Sequence, residues 1–325
     1  MGCCSDVAAL TKGNVMACVL FSSNRHLVRA ENIKALYDAY DGDKEFIYLS
    51  ERSGKYFGGK FSVLVADDFP QKSPDKAIMV GHGICGGKTF GLDQPFGYHT
   101  REYAKLIDYA IATSDETVEL VAKQSGIPLE RVLPLGMPRT DQYFGKKKGD
   151  GKTFMARKRS YLYVPTFRNQ MHDSPLPDID YDMIDDMLTD DEIFVVKPHV
   201  LSGVMLGKSY RHVMEEMGYR QSAQLLMDAD VVITDYSSIM FDAMILNRPV
   251  ILFDRNMDYL KTRGMYYRYP EEYSGRWCNN ERELIEVARK AHDLTEAEVS
   301  CRNRVAGACD GHSTERVLDL VRSLL

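Results

Sequence analysis

Short apolar runs alternate with amphipathic stretches along the whole chain. The apolar runs indicate strands buried on both faces, and apolar residues at helical spacing between them indicate helices. This alternation predicts an α/β protein with mainly parallel sheets and right-handed crossovers. The predicted strands cover residues 15–21, 46–49, 61–66, 77–80, 109–112, 131–135, 161–164, 193–196, 231–233 and 250–253. The predicted helices cover residues 27–40, 103–108, 115–125, 178–188, 221–227, 239–246, 281–292 and 315–325.

The alternation is interrupted at 146–152, a lysine- and glycine-rich stretch without apolar periodicity. We therefore predict a first domain at 1–145, a linker at 146–152 with solvated lysines, and a second domain at 153–325. The pattern predicts two similar α/β folds in tandem. A cleft between them faces the carboxyl ends of both sheets, which is where open α/β sheets bind ligands.

Composition narrows the class of protein. The 325 residues are 44% hydrophobic and 27% charged, which is ordinary for a globular protein of about two domains. The net charge of −6 and pI near 5.8 argue against a general nucleic-acid binder. No apolar run approaches the ~18 residues of a membrane span, and no signal peptide is predicted. Seven cysteines without CxxC or zinc spacing predict reduced thiols in a cytosolic protein.

The stretch 230–254 is predicted to form a strand, a turn, a short helix and a second strand. Its turn carries Thr234, Ser237 and Ser238 at the start of the predicted helix. Hydroxyls and backbone N–H groups at a helix N-terminus form an anion site. Such donors without a lysine favour a phosphate that belongs to a larger ligand, although a capped helix that binds nothing explains the same residues.

Further candidate residues follow other predicted strands. His82 lies between two glycines, where it can accept a proton near neutral pH. His199 follows Lys197 and can donate to a phosphate or leaving group. Arg168 comes two residues after Thr166, and its guanidinium suits bidentate phosphate recognition. Each residue alone has an ordinary explanation in a loop, but their shared position at strand ends favours a binding site.

The sequence lacks the motifs of several common enzyme classes and of metal sites. Asp235, Asp242 and Asp254 can hold ribose hydroxyls or a metal, but no pair of them has a recognised metal-ligand spacing. No Walker lysine, GxGxxG or GxSxG motif is present, which argues against an NTPase and a serine hydrolase. We predict neither a metal nor a cofactor.

Six motifs stand in the order of one known family. They are Gly-His-Gly at 81–83, Leu-Gly-Met-Pro-Arg-Thr-Asp at 135–141, Tyr-Val-Pro-Thr-Phe-Arg at 163–168, Lys-Pro-His at 197–199, Ile-Thr-Asp-Tyr-Ser-Ser at 233–238 with Phe-Asp at 241–242, and Asp-Gly at 310–311 with Thr-Glu-Arg at 314–316. From about residue 79 onward the chain resembles the CDP-glycerol glycerophosphotransferases, the primases and polymerases of teichoic acids and capsules. The first 75 residues agree only in general pattern.

The resemblance implies a GT-B architecture, in which two Rossmann-like domains face a cleft and the last helix often packs on the first domain. It also implies a metal-independent transfer of glycerol phosphate, or a related alditol phosphate, from CDP-glycerol or another CDP-alditol. An acceptor hydroxyl attacks the β-phosphorus, CMP leaves and a phosphodiester forms. Catalysis of this kind rests on positioning and charge stabilisation.

The resemblance assigns roles by matching motif. His82 is the general base on the acceptor hydroxyl, and His199 steadies the donor phosphate or the departing CMP. Asp242 holds the ribose. Arg139 and Asp141 shape the floor of the cleft, with a purely structural role as the alternative. The residues expected to bind the donor pyrophosphate are Thr166, Arg168, Thr234, Ser237 and Ser238.

The chain departs from the family on the acceptor side. Family members commonly have Gly-Thr-Pro-Leu-Lys after the first histidine, whereas Gly-Ile-Cys-Gly-Gly-Lys stands at 83–88. The departure leaves the alditol and the acceptor open. We expect a glycerol-phosphate-bearing or glycan acceptor, including a lipid-linked one, and no nucleic acid. The expected location is the cytoplasm, with peripheral contact at the inner membrane face.

Two other functions stay open. A GT-B glycosyltransferase with a nucleotide sugar has the same fold, and fold alone does not determine function. A non-catalytic nucleotide- or polymer-binding protein is the third hypothesis. Two serine hydroxyls at one helix start favour a pyrophosphate donor, and the two histidines argue against a simple binder.

Overall fold

The computed structural model describes residues 18–23, 30–48, 61–68, 76–81, 83–88, 104–166, 178–198, 206–216, 222–255, 257, 260 and 264–325. These residues form two six-stranded sheets whose strands all run parallel, surrounded by helices. The predicted α/β fold with two Rossmann-like sheets is confirmed. No helix in the described part of the chain has both the length and the apolar character needed to cross a bilayer.

The first sheet is built from the N-terminal half in the order β2-β1-β3-β4-β5-β6. Its central strands are apolar on both faces; Val19, Leu20 and Phe21, for example, are at most 1% exposed. Such strands need helices on both sides to exclude water. Its elements are β1 (Cys18–Ser23), α1 (Glu31–Ala39), β2 (Lys44–Tyr48), β3 (Phe61–Ala66), β4 (Lys76–Met79), β5 (Tyr109–Ile111), α2 (Asp115–Ser125) and β6 (Val132–Leu133).

The second sheet has the order β12-β11-β10-β7-β8-β9. The chain runs outward from β7 in one direction and then from β10 in the other, so the switch point lies between these two neighbouring strands. Its strands are β7 (Arg159–Tyr163), β8 (Glu192–Val196), β9 (Val213–Glu215), β10 (Val231–Thr234), β11 (Val250–Phe253) and β12 (Trp277–Cys278). The helices of this half are α3 (Tyr181–Met187), α4 (Ser222–Asp228), α5 (Ile239–Ile245), α6 (Glu281–Lys290), α7 (Glu296–Ala306) and α8 (Ser313–Ser323).

The predicted linker lies between the two sheets and is held to the second one. The fully buried Asp228 carboxylate, at the end of α4, accepts hydrogen bonds from the backbone N–H groups of Gly149, Gly151 and Thr153 at 2.7–3.1 Å. Lys148 forms an ion pair with Asp230, so this lysine is not merely solvated as the sequence suggested. The domain boundary at 146–152 stays a prediction.

The C-terminal helix returns to the first sheet. Val317, Leu318 and Val321 of α8 share one core cluster with Val19 of β1 and Ile33 of α1. The start of α8 is held by the carboxylate of Asp141, which accepts from the backbone N–H groups of Ser313 and Thr314 at 3.0 and 2.6 Å. Asp141 therefore caps the helix that joins the two halves, which is the structural alternative considered for this residue.

Gly136 marks a place where the two halves touch at backbone level. Its φ of 84° lies in the left-handed region, and a Cβ added there would overlap the carbonyl oxygen of Ala308. Gly145 has a φ of 73°, but a Cβ there meets nothing within 4 Å. A residue with a side chain would meet the same backbone strain at both positions, and the two positions differ in packing.

Gly136→Ala is expected to lower the free energy of unfolding by about 3 kcal/mol, because left-handed strain adds to a clash that only backbone movement relieves. Gly145→Ala carries the strain alone and should cost about 1 kcal/mol. Thermal denaturation of both variants measures the difference. Equal Tm values for the two variants would show that the approach of Gly136 to Ala308 does not contribute to stability.

Candidate active site

Two of the predicted donor-binding segments meet at the switch point of the second sheet. The backbone N–H of Thr166, which follows β7, donates to Asp235 Oδ1 at 2.8 Å, and Asp235 follows β10. The same oxygen accepts from the backbone N–H of Tyr236 at 2.6 Å. Asp235 is fully buried, so its carboxylate holds the two strand-end loops together. The Thr166 hydroxyl is buried and has no hydrogen-bond partner within the described part of the chain.

Thr234 has a different role from the one predicted. Its side chain is fully buried, and its hydroxyl donates to the carbonyl oxygen of Val164 at 2.6 Å. This bond joins β10 to the segment after β7. The predicted contact between Thr234 and the donor pyrophosphate does not fit, because the hydroxyl is already used inside the protein.

Ser237 and Ser238 lie at the start of α5 and are both partly exposed. Ser238 is the N-cap residue, but its side chain makes no capping hydrogen bond. The Ile239 N–H donates to Ser237 Oγ at 3.4 Å, a long bond. The helix therefore makes little use of these hydroxyls, contrary to the expected side-chain cap, and they remain suited to an external acceptor such as a phosphate.

The glycine-rich loop after β4 packs against this turn. A Cβ added at Gly83 would lie 3.3 Å from Ser238 Oγ, and one at Gly87 would lie 3.5 Å from the Phe241 ring. The hydroxyl of Tyr273 donates to the Gly86 carbonyl at 2.9 Å, and the N–H of Tyr266 donates to the Gly87 carbonyl at 3.0 Å. The loop after β4 is thus in contact with α5.

The family departure at 83–88 has a packing consequence. Gly86 has a φ of 123°, and a Cβ there would lie 2.7 Å from a methyl group of Val305. Only glycine fits this close approach of the loop to α7. The adjacent Cys85 is mostly buried, which raises the pKa of its thiol to about 12. Cys85 is therefore protonated at neutral pH and is not a thiolate nucleophile.

A buried ion pair joins the two halves next to this loop. Arg139, in the 3-10 helix Pro138–Tyr143, donates through both terminal nitrogens to the Asp242 carboxylate of α5; the Nη2–Oδ2 distance is 3.0 Å. The Tyr143 hydroxyl also donates to Asp242, at 3.0 Å, and Glu31 lies 3.8 Å from Arg139. Side-chain exposure is 7% for Arg139 and 0% for Asp242.

This pairing has two consequences. Burial lowers the pKa of Arg139, but Asp242, Tyr143 and Glu31 together more than offset this effect and raise that pKa, so the guanidinium stays charged. The ribose role predicted for Asp242 does not fit, because its carboxylate is inaccessible and is occupied by Arg139 and Tyr143. Arg139 joins the two halves through Asp242, and its place at the floor of a cleft stays a prediction.

Sequence reasoning missed Asn32, on the first turn of α1. Its side chain is buried, donates to the Gly81 carbonyl at 3.0 Å, and accepts from the Arg139 backbone N–H at 3.0 Å. A lone asparagine in an amphipathic helix gives no sequence signal for such contacts. Its partners are 49 and 107 residues away along the chain.

Three predicted site residues, His82, Arg168 and His199, lie outside the described residues. Their neighbours along the chain are placed. Gly81 and Gly83 flank position 82, Thr166 precedes Arg168 by two residues, and Pro198 directly precedes His199. The N–H of Lys197 donates to the Tyr163 carbonyl at 2.8 Å, so the end of β8 lies beside the end of β7.

Comparison with known proteins assigns the family. Residues 45–323 match the family described as CDP-Glycerol:Poly(glycerophosphate) glycerophosphotransferase. The chain is 28% identical to the teichoic acid poly(ribitol-phosphate) polymerase of Bacillus spizizenii, over 91% of this chain and 52% of that protein. It is also 28% identical to the teichoic acid glycerol-phosphate primase of Bacillus subtilis, over 87% of this chain and 78% of that protein. The chain therefore spans only about half the length of the first relative.

Solved structures agree on the fold. A histidine variant of the wall teichoic acid polymerase TagF superimposes with a TM-score of 0.75 at 20% identity, over 94% of this chain and 88% of that one. A TagF variant with CDPG gives the same TM-score over 95% and 89%. These matches confirm the GT-B-like architecture. From the matched span and the motifs at the strand ends, the chain belongs to the CDP-glycerol:poly(glycerophosphate) glycerophosphotransferase family.

Proposed function

We propose that this protein transfers glycerol phosphate, or a related alditol phosphate, from a CDP-linked donor to an acceptor hydroxyl and releases CMP. The observation that carries the proposal is the meeting of the Thr166–Asp235 pair with the turn at Ser237 and Ser238, against which Gly83 packs. Relatives named as glycerol-phosphate and ribitol-phosphate primases and polymerases support this reaction class.

The donor pyrophosphate would bind at the carboxyl ends of β7 and β10. Thr166, Arg168, Ser237 and Ser238 would supply hydroxyl and guanidinium donors to its oxygens. An acceptor oxygen attacks the β-phosphorus, and the bond from that phosphorus to the bridging oxygen of CMP breaks. His82 takes the proton of the acceptor hydroxyl, and His199 stabilises the negative charge on the departing CMP. No hydride or redox step is needed.

The acceptor would bind to the first half of the chain, whose loop after β4 contacts the turn at Ser237 and Ser238. We propose a glycerol-phosphate-bearing or glycan acceptor in teichoic-acid-like or capsular polymer synthesis, including a lipid-linked one. A CDP-linked donor places the reaction in the cytoplasm. A lipid-linked acceptor would add peripheral contact at the inner membrane face.

The test is CMP release from CDP-glycerol and CDP-ribitol, with UDP-glucose and CMP-sialic acid as comparison donors. Each donor is incubated with and without a glycerol-phosphate-primed acceptor. The proposal predicts CMP from one of the CDP-alditols, stimulated by the acceptor. Release of nucleotide from a sugar donor alone would assign the protein to the glycosyltransferases. Donor binding without turnover in any arm would make it a binding protein.

A further inference from the structure

Asn32 is a buried polar residue at an energetically expensive position. Asparagine is a poor helix former, and burial of its amide is tolerated only when the amide is hydrogen-bonded. The amide nitrogen donates to the Gly81 carbonyl and lies 2.8 Å from Met137 Sδ, and the amide oxygen accepts from the Arg139 N–H. The amide therefore joins the end of β4 to the segment after β6.

These bonds belong to a series of contacts that links the two halves of the chain. Asn32 binds the Arg139 backbone, and the Arg139 side chain binds Asp242 of α5. The first turn of α5 leads back from Asp242 to Ser238, which lies against Gly83. The series starts at Gly81 and ends at Gly83, the two neighbours of position 82.

We infer that Asn32 is a positioning residue, which holds Gly81, at the start of the loop after β4, in register with the helix that carries Ser238. The inference rests on the proposed function, in which the loop presents the base and the helix binds the donor. Gly81 has a φ of 66°, which glycine adopts as readily as a negative φ, so the backbone at this position has more conformational freedom than at other residues. The bond from Asn32 to the Gly81 carbonyl limits that freedom.

The expected effect falls on turnover rather than on donor affinity. Thr166 and Ser237 lie on the second sheet and make no hydrogen bond to Asn32 among the described residues. Misplacement of a reacting group by about 1 Å can cost on the order of a hundredfold in rate. Asn32→Ala should therefore lower kcat by about ten- to a hundredfold while the donor KM stays within about twofold of the wild type.

The experiment compares steady-state CMP release by the wild type, Asn32→Ala, Asn32→Asp and the control Asn280→Ala. Asn280 caps α6 by accepting from the Glu283 N–H at 2.9 Å, so its loss should lower Tm without changing kcat. Asn32→Asp keeps the size and the acceptor for Arg139, and replaces the donor to Gly81 and Met137 with a carboxylate oxygen. It should lose kcat as Asn32→Ala does.

The outcomes separate the role of Asn32 from the proposed function. If Asn32→Ala and the control Asn280→Ala had the same kcat, the inference about Asn32 would be overturned and the proposed function would stand. Failure of both Asn32 variants to fold would also overturn the inference, in favour of a purely structural role. A wild type that releases CMP from no CDP-alditol would overturn the proposed function itself.

Discussion

Asp242→Ala is expected to lower the free energy of unfolding by about 3–5 kcal/mol, because it leaves the buried Arg139 guanidinium without its main partner. The remaining carboxylate, Glu31, lies 3.8 Å away, and the Tyr143 hydroxyl loses its acceptor as well. Domains have total stabilities of about 5–15 kcal/mol, so this change removes a large part of the margin. Urea denaturation followed by the fluorescence of Trp277, the single tryptophan, measures the loss.

Two controls separate burial from charge pairing as such. Asp319→Ala removes an ion pair with Arg322 that has a single hydrogen bond at 2.9 Å. Both side chains are about half exposed or more, and the expected cost is below about 1 kcal/mol. The double variant Arg139→Met with Asp242→Leu removes both charges and should be more stable than Asp242→Ala. A loss for Asp242→Ala no larger than for Asp319→Ala would contradict the account of the interface.

His82→Ala is expected to lower kcat for alditol-phosphate transfer by about a thousandfold, within the range that a positioned general base contributes. Donor binding should stay close to that of the wild type, because the donor residues proposed here lie on the second half of the chain. Steady-state CMP release gives kcat, and titration calorimetry with the CDP-alditol gives Kd. The two measurements together separate loss of chemistry from loss of binding.

His312→Ala is the matched control for this prediction. His312 precedes α8, its side chain is 69% exposed, and its Nδ1 lies 3.6 Å from the Glu315 carboxylate. Its replacement should leave kcat and Kd unchanged. If His82→Ala kept more than a tenth of the wild-type kcat, another group would have to accept the proton of the attacking hydroxyl.

The sheets could largely be predicted from the sequence, because buried parallel strands are continuous apolar runs. The strands at 61–66 and 250–253 were predicted with the bounds observed. The edge strands β9 and β12 were missed, since two or three residues give no periodicity. Helix α7 was missed because its polar residues mask the few buried positions. The helix predicted at 103–108 is only a short 3-10 turn at Ala104–Leu106.

Only those site residues that directly follow a predicted strand could be placed from the sequence. Thr166 and Ser238 follow apolar runs, and the sheet order brings their loops together. The roles of Thr234 and Asp242 depend on side-chain partners that spacing does not give. Thr234 bonds to Val164, 70 residues away, and Asp242 pairs with Arg139, 103 residues away. A carboxylate next to a turn that is predicted to bind phosphate resembles a ribose ligand until its buried cation is known.

The proposed reaction transfers an alditol phosphate and not a sugar. Mass spectrometry of the acceptor after incubation with CDP-glycerol or CDP-ribitol distinguishes the two transfers, with ³¹P NMR to identify the new bond. We expect a mass increase of one or more alditol-phosphate units and a phosphodiester resonance, both lost in His82→Ala. An acceptor that gains a hexose from a nucleotide sugar, and nothing from either CDP-alditol, would rule out alditol-phosphate transfer.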